Sequence, residues 1–399
     1  MNEIFQELMR KATQLTHKGR LKEATAAIQR ALRGTPAESP APAATPGGMR
    51  PEATPLVLDG YVFEVHDEVL PPQTAKPTPE TGKGKGKGKG TETFISGTHT
   101  HAGLTRRYKL YQPPGHQGGK PLPLVVMLHG CTQNPDDFAV GTAMNARARE
   151  QGFFVLYPEQ PQEANPSRCW NWFKHNHQQR GRGEPALLAS LTQTVMQEHG
   201  MDARRVYVAG LSAGGAMAAI VAAAYPELFA AVGVHSGLPN GSASNVAEAL
   251  MVMQSGKIQF ITPPKAAHVG APPKAPLQPK IPIPTIVFHG DQDQTVHPRN
   301  GEQVIAAALA GAAGADPTGT FPPGSARVEQ GVSAQGRRYT RSTQHGDRGQ
   351  ALTEHWLVHG AGHAWSGGHG QGSYTDATGP DATREMLRFF FEHPKNLPH

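Results

Sequence analysis

The chain reads as an α/β fold, with a mostly parallel central sheet and helices on both faces, and three observations predict it. Leu124–Leu128, Phe153–Tyr157, Val206–Ala209, Ala231–Val234, Thr285–Phe288 and Thr353–Val358 are runs too continuously apolar for half-exposed strands. They suit strands covered on both faces. Helix-like segments such as Ala186–His199 and Gly301–Ala310 lie between several of them, and that alternation marks a doubly covered sheet. Finally, Arg205–Ala209 leads into Gly210-Leu211-Ser212-Ala213-Gly214-Gly215 and the small-residue stretch Ala216–Ala224. That order is strand, sharp turn, helix.

The elements follow in chain order. Residues 2–33 carry helical periodicity in two stripes, Ile4 to Leu15 and Leu21 to Leu32, broken at His17-Lys18-Gly19-Arg20. A helical hairpin is expected there, packed on the main domain or a second subunit, or lying on an apolar surface with its basic flanks outward. From Gly34 to Gly90 the chain is rich in Pro, Ala, Thr and Gly and ends in alternating Gly and Lys. Such a segment cannot bury apolar surface and repels itself, so it reads as a flexible linker. The patch Leu56–Val65 could add an edge strand. The main domain spans 91–399 and opens with an antiparallel pair, Thr93–Ser96 and Arg106–Tyr111. Two Pro-rich stretches, Thr262–Pro284 and Asp316–Pro323, lack periodicity, and the first could loop over the active-site face.

Composition narrows the class. Of 399 residues, 46 are Gly and 36 Pro, and only 37% are hydrophobic, so much of the chain is loop or linker. A net charge of +6 is mildly basic, but the basic residues are dispersed without interleaved aromatics, which argues against a nucleic-acid partner. The N-terminus lacks an apolar leader core, and no stretch approaches the ~20 apolar residues a membrane-spanning helix needs. A cytoplasmic location is therefore expected. Two cysteines, Cys131 and Cys169, are too few for a disulfide framework.

The turn at Ser212 is the context of a nucleophile elbow. A serine hydroxyl needs a general base, and the base needs a carboxylate to fix its tautomer. In an α/β-hydrolase these arrive in the order Ser, acid, His, each after a strand. The acid candidates are Asp291 and Asp293, in His289-Gly290-Asp291-Gln292-Asp293 after the run Thr285–Phe288. The H-G-x-x-D-x-x-V spacing favours Asp293 and leaves Asp291 to cap the turn. For the base, His363 follows the final apolar run between small residues; His359 competes but sits nearer the strand end. The oxyanion hole needs two backbone N–H groups. Ala213 supplies one and the loop His129–Asn134, through Cys131, the other. This chemistry requires no metal or cofactor.

Five ordered motifs go further. Leu128-His129-Gly130-Cys131-Thr132-Gln133-Asn134, Cys169-Trp170-Asn171-Trp172-Phe173, Gly210–Met217, Val234-His235-Ser236-Gly237-Leu238 and Gly362–Gly368 together resemble the poly(3-hydroxybutyrate) depolymerase-type esterases. The resemblance covers about 95–393 and implies hydrolysis of short-chain hydroxyalkanoate esters, with Ser212, Asp293 and His363 as triad and Cys131 in the oxyanion hole. It is closest to the intracellular branch, which implies a stored polymer granule, contacted through residues 1–33, or soluble oligomers. Trp170, Trp172, Trp365 and Tyr374 suit a polyester site, although Trp170 and Trp172 equally suit the core. A bridge between Cys131 and Cys169 would pin the oxyanion loop. Feruloyl and acetylxylan esterases share the scaffold and are the alternative. A granule-binding protein with vestigial hydrolysis is the non-enzymatic one.

Overall fold

The computed structural model describes residues 91–116, 119–256, 283–313, 326–346 and 349–395. The expected helical hairpin at 2–33, the linker at 34–90 and nearly all of both Pro-rich stretches lie outside the described residues.

The opening hairpin pairs β1 (Thr93–His101) with β2 (Leu104–Gln112). Its two-residue turn, Ala102-Gly103, has φ of 49° and 77°, the primed turn that matches strand twist. There follow β3 (Leu124–Leu128), helices α1 (Pro135–Thr142) and α2 (Met144–Gln151), and β4 (Phe154–Pro158). Next come α3 (Gly183–His199), β5 (Val206–Leu211), α4 (Ala213–Ala224), β6 (Ala231–His235) and α5 (Val246–Ser255). The chain closes with β7 (Thr285–Gly290), α6 (Arg299–Ala313), β8 (Arg327–Val332), β9 (Arg338–His345), β10 (Ala351–Val358) and α7 (Ala382–Phe391). A small parallel pair, β11 (Trp365–Ser366) with β12 (Thr375–Asp376), precedes α7.

The strands form one sheet in the order β1-β2-β4-β3-β5-β6-β7-β10-β9-β8. The six central strands β4 to β10 are parallel, and antiparallel strands flank them on both sides. The strands expected from the apolar runs are all present. The hairpin β8–β9 was not foreseen. Its sequence is polar and its strands are largely exposed, so no apolar run announces it.

Side chains alternate between two cores. Val126, Leu128 and Val208 face one side, with Leu188, Leu191, Val195 and Val221 of α3 and α4 packed over them. Val125, Met127, Tyr207 and Phe288 face the other, under Phe138, Met386, Phe389 and Phe390. Successive strand residues point to opposite faces, so a strand covered on both sides must be apolar throughout. Ligand sites in such sheets lie beyond the carboxyl ends of the strands, and Ser212, Asp293, His363 and the loop His129–Asn134 all follow strand ends there. Among the described residues no helix is long and apolar enough to cross a membrane.

Candidate active site

Ser212 sits between β5 and α4 with φ 57° and ψ −121°. A non-glycine residue tolerates this strain only where its surroundings fix it. Its N–H donates to the His235 carbonyl (2.8 Å) and its carbonyl accepts from Ala216 N–H (2.9 Å). The neighbours must be small. A Cβ on Gly214 would lie 2.0 Å from the Leu128 carbonyl oxygen, and one on Gly210 only 2.4 Å from Gly214. The elbow thus rests directly on the end of β3.

The loop after β3 covers the serine: a Cβ on Gly130 would reach 3.7 Å from Ser212 Cβ. Its anchors are numerous. Gly130 N–H donates to Gln133 Oε1 (2.9 Å), Thr132 N–H to Ser167 O (2.7 Å), and Trp170 Nε1–H to His129 O (3.1 Å). A disulfide joins Cys131 to Cys169. Among the described residues, the N–H groups of Cys131 and Ala213 have no hydrogen-bond acceptor. Two preorganised donors beside a strained serine can stabilise a developing oxyanion.

Asp293 and His363 come together, with Nδ1 2.7 Å from Oδ2. The carboxylate is buried and fully used. Oδ1 accepts from the N–H groups of Thr295 (2.9 Å) and Val296 (2.8 Å), and Oδ2 also lies 3.4 Å from His289 Nε2. Burial alone would raise its pKa. The imidazoles of His289 and His363 beside it outweigh that and hold the carboxyl far below the usual range. Asp291 instead takes His359 as partner (3.0 Å) and accepts from Gly360 N–H (2.7 Å), while Thr340 engages the other ring nitrogen of His359. The two competing residues therefore form their own pair, which fastens the β10 loop to the β7 loop. Among the described residues the Ser212 hydroxyl makes no hydrogen bond; in unliganded sites the contact between nucleophile and base is often long.

Three further histidines close strands and support the site. His129 is buried after β3; Gln160 N–H donates to its Nε2 (3.1 Å), so its proton lies on Nδ1 and bonds Gly130 O (2.8 Å). Burial pushes its pKa down to about 4. His235 ends β6 and stacks between Phe288 and Trp365 at 5.8 and 5.1 Å. Its Nε2 accepts from Ser366 N–H (2.9 Å) while its carbonyl holds Ser212. One residue thereby ties the elbow to the loop carrying His363. His289, in β7, donates from Nε2 to Val296 O (2.7 Å). A shared sequence signal existed: Leu128-His129-Gly130, Val234-His235-Ser236, Phe288-His289-Gly290 and Val358-His359-Gly360 each put a histidine where an apolar run stops.

The expected substrate-binding aromatics divide. Trp365 is 1% exposed and Trp172 4%. Trp365 packs edge-on against Phe138 and donates to Thr383 Oγ1, and Trp172 packs on Phe173. Both are core residues, so they offer no open face to a substrate. Tyr374 is 38% exposed, with its hydroxyl 3.1 Å from Thr132 Oγ1 on the oxyanion loop. It alone of the three stands at the rim.

Sheet order, elbow and carboxylate–histidine pair define an α/β-hydrolase. The sequence pattern of the family described as "Esterase PHB depolymerase" matches residues 106–331, and the chain belongs to that family. It is 33% identical over 216 residues to a poly(3-hydroxyalkanoate) depolymerase C of Paucimonas lemoignei, covering 53% of this chain and 50% of that one. It is 30% identical over 191 residues to a probable acetylxylan esterase A of Aspergillus flavus (45% and 59% covered), and 28% over 196 to a feruloyl esterase B of Thermothelomyces thermophilus (46% and 63%). The match thus spans about half to under two thirds of these relatives. Among solved structures, an acetyl xylan esterase from Aspergillus awamori superposes with a TM-score of 0.53 at 20% identity, over 75% of this chain and 99% of that one. That likeness concerns the fold.

Proposed function

We propose that the chain is a serine carboxylic ester hydrolase acting on 3-hydroxybutyrate esters, either the polymer or its oligomers. The observation that carries this is the Asp293–His363 hydrogen bond (2.7 Å), fastened through His235 to the strained elbow at Ser212. Ser212 Oγ attacks the ester carbonyl carbon while His363 Nε2 takes the hydroxyl proton. Asp293 stabilises the imidazolium, and the N–H groups of Cys131 and Ala213 receive the oxyanion. Collapse breaks the bond to the alcohol, which leaves with the proton from His363. Water then repeats the attack on the acyl-enzyme, and the free acid departs from Ser212. The depolymerase relative supports the substrate class. Initial rates on 3-hydroxybutyrate oligomers, amorphous polyhydroxybutyrate, acetylated xylan and methyl ferulate test it. The highest kcat/KM is expected on a hydroxybutyrate substrate, and a preference for ferulate or acetylxylan would overturn that choice.

The second reading, an esterase of plant-wall acetyl or feruloyl groups, is favoured by the fungal relatives. A cytoplasmic, granule-attached form through residues 1–33 completes the first reading. Deleting 1–90 would then release the protein from granules while soluble-ester hydrolysis continues. The Cys131–Cys169 bridge weighs towards an oxidising compartment instead. Thiol titration of protein trapped directly from cells decides between them.

A further inference from the structure

The segment 165–169 is tied to the oxyanion loop, and at its centre is an arginine with no acceptor among the described residues. Ser167 O accepts Thr132 N–H, and Cys169 is bonded to Cys131. Arg168 stands between these two ties, its backbone in the left-handed region at φ 52°. A hydrogen-bond network that runs inward to Glu184 holds that conformation. Asn165 Oδ1 accepts from Ser167 N–H (3.0 Å) and Cys169 N–H (3.4 Å), and its carbonyl accepts Arg168 N–H (2.8 Å). Asn165 Nδ2 donates to Asn171 (3.2 Å), which donates twice to the fully buried Glu184 (2.8 and 2.7 Å). Strain fixed from so deep gathers at ligand clamps.

The Arg168 side chain is half-buried. Among the described residues no carboxylate or other acceptor lies within bonding distance of its guanidinium; Arg182, Arg299 and Arg338 share that, but they are exposed. Its charge also bears on His129, beneath the oxyanion loop. An unpaired guanidinium is a bidentate receptor for a carboxylate. In a hydroxyalkanoate chain the free acid belongs to the unit joined through its hydroxyl, so cleavage of the terminal bond leaves that carboxylate on the departing alcohol.

Building on the Ser212 mechanism, we infer that Arg168 recognises a carboxylate on the leaving-alcohol side of the ester, giving preference for acid-ended oligomers. Two matched esters test it: butyrate esterified to 3-hydroxybutyric acid, and butyrate esterified to 3-hydroxybutyramide. In Arg168→Gly the backbone keeps its φ without strain while the whole side chain is lost; Arg168→Gln keeps an uncharged stem and Arg168→Lys keeps the charge. The wild-type protein should favour the acid over the amide. That ratio should fall roughly tenfold or more in Arg168→Gly and Arg168→Gln, mainly through KM, with Arg168→Lys intermediate. Added salt should raise the wild-type KM for the acid but not for the amide. An unchanged ratio in Arg168→Gly, or an absence of wild-type preference, overturns the inference. Failure of the underlying mechanism shows separately, as continued cleavage of both esters by Ser212→Ala.

Discussion

Asp291 and Asp293 lie two residues apart and differ in what surrounds them. Asp293 is buried beneath three donors, with His289 beside it, whereas Asp291 is partly exposed and holds a loop. Asp293→Asn should lower kcat by roughly 10³–10⁴, because an amide misdirects the His363 tautomer. Asp291→Asn should cost less than about tenfold, within the range of a lost surface-side hydrogen bond. Steady-state hydrolysis of p-nitrophenyl butyrate by the two variants separates them. Motif spacing pointed to Asp293, and the structure pairs it with His363; the pairing of Asp291 with His359 was not legible. The roles of His129, His235 and His289 were also hidden. A histidine closing an apolar run reads as ordinary core until its ring partners are seen.

At the scale of elements, the elbow depends on close approach of β5, α4 and the end of β3. Gly214→Val would place side-chain atoms inside the Leu128 carbonyl contact. Overpacking of this kind costs about 1–3 kcal/mol or more and would displace Ser212, so a lowered Tm with near-complete loss of hydrolysis is expected. The Cys131–Cys169 bridge closes a loop with a sequence separation of 38. Cys169→Ser should destabilise the fold by roughly 3–4 kcal/mol on loop-closure grounds, measured by urea unfolding. The buried strands announced themselves because two-sided burial demands unbroken apolar runs. The hairpin β8–β9 did not, since Arg327, Glu329, Arg338 and Arg341 keep it polar. Trp172 and Trp365 misled for a related reason: an aromatic beside a catalytic motif serves core or substrate alike, and only packing decides.

At the scale of the whole molecule, buried neutral histidines set the acid limit of stability. Burial holds His129 at about 4 and His235 well below its usual value, while unfolded histidine titrates near 6.5. Between these values the unfolded chain binds more protons, so stability falls as pH drops from about 6.5 towards 4. The slope is on the order of 1 kcal/mol per pH unit for each histidine. Urea midpoints at pH 7, 5.5 and 4.5 should decline in that order, and a flat series would contradict the buried neutral state. The sheet, the two cores and the strand-end loops hold Ser212 in a strained turn at the carboxyl edge, and the proposed mechanism makes it the nucleophile. Covalent labelling with diethyl p-nitrophenyl phosphate, followed by peptide mass spectrometry, tests that most directly. One phosphoryl group on Ser212 is expected, with hydrolysis lost in proportion; a label on another residue, or full activity after Ser212 is modified, would contradict the assignment of the nucleophile.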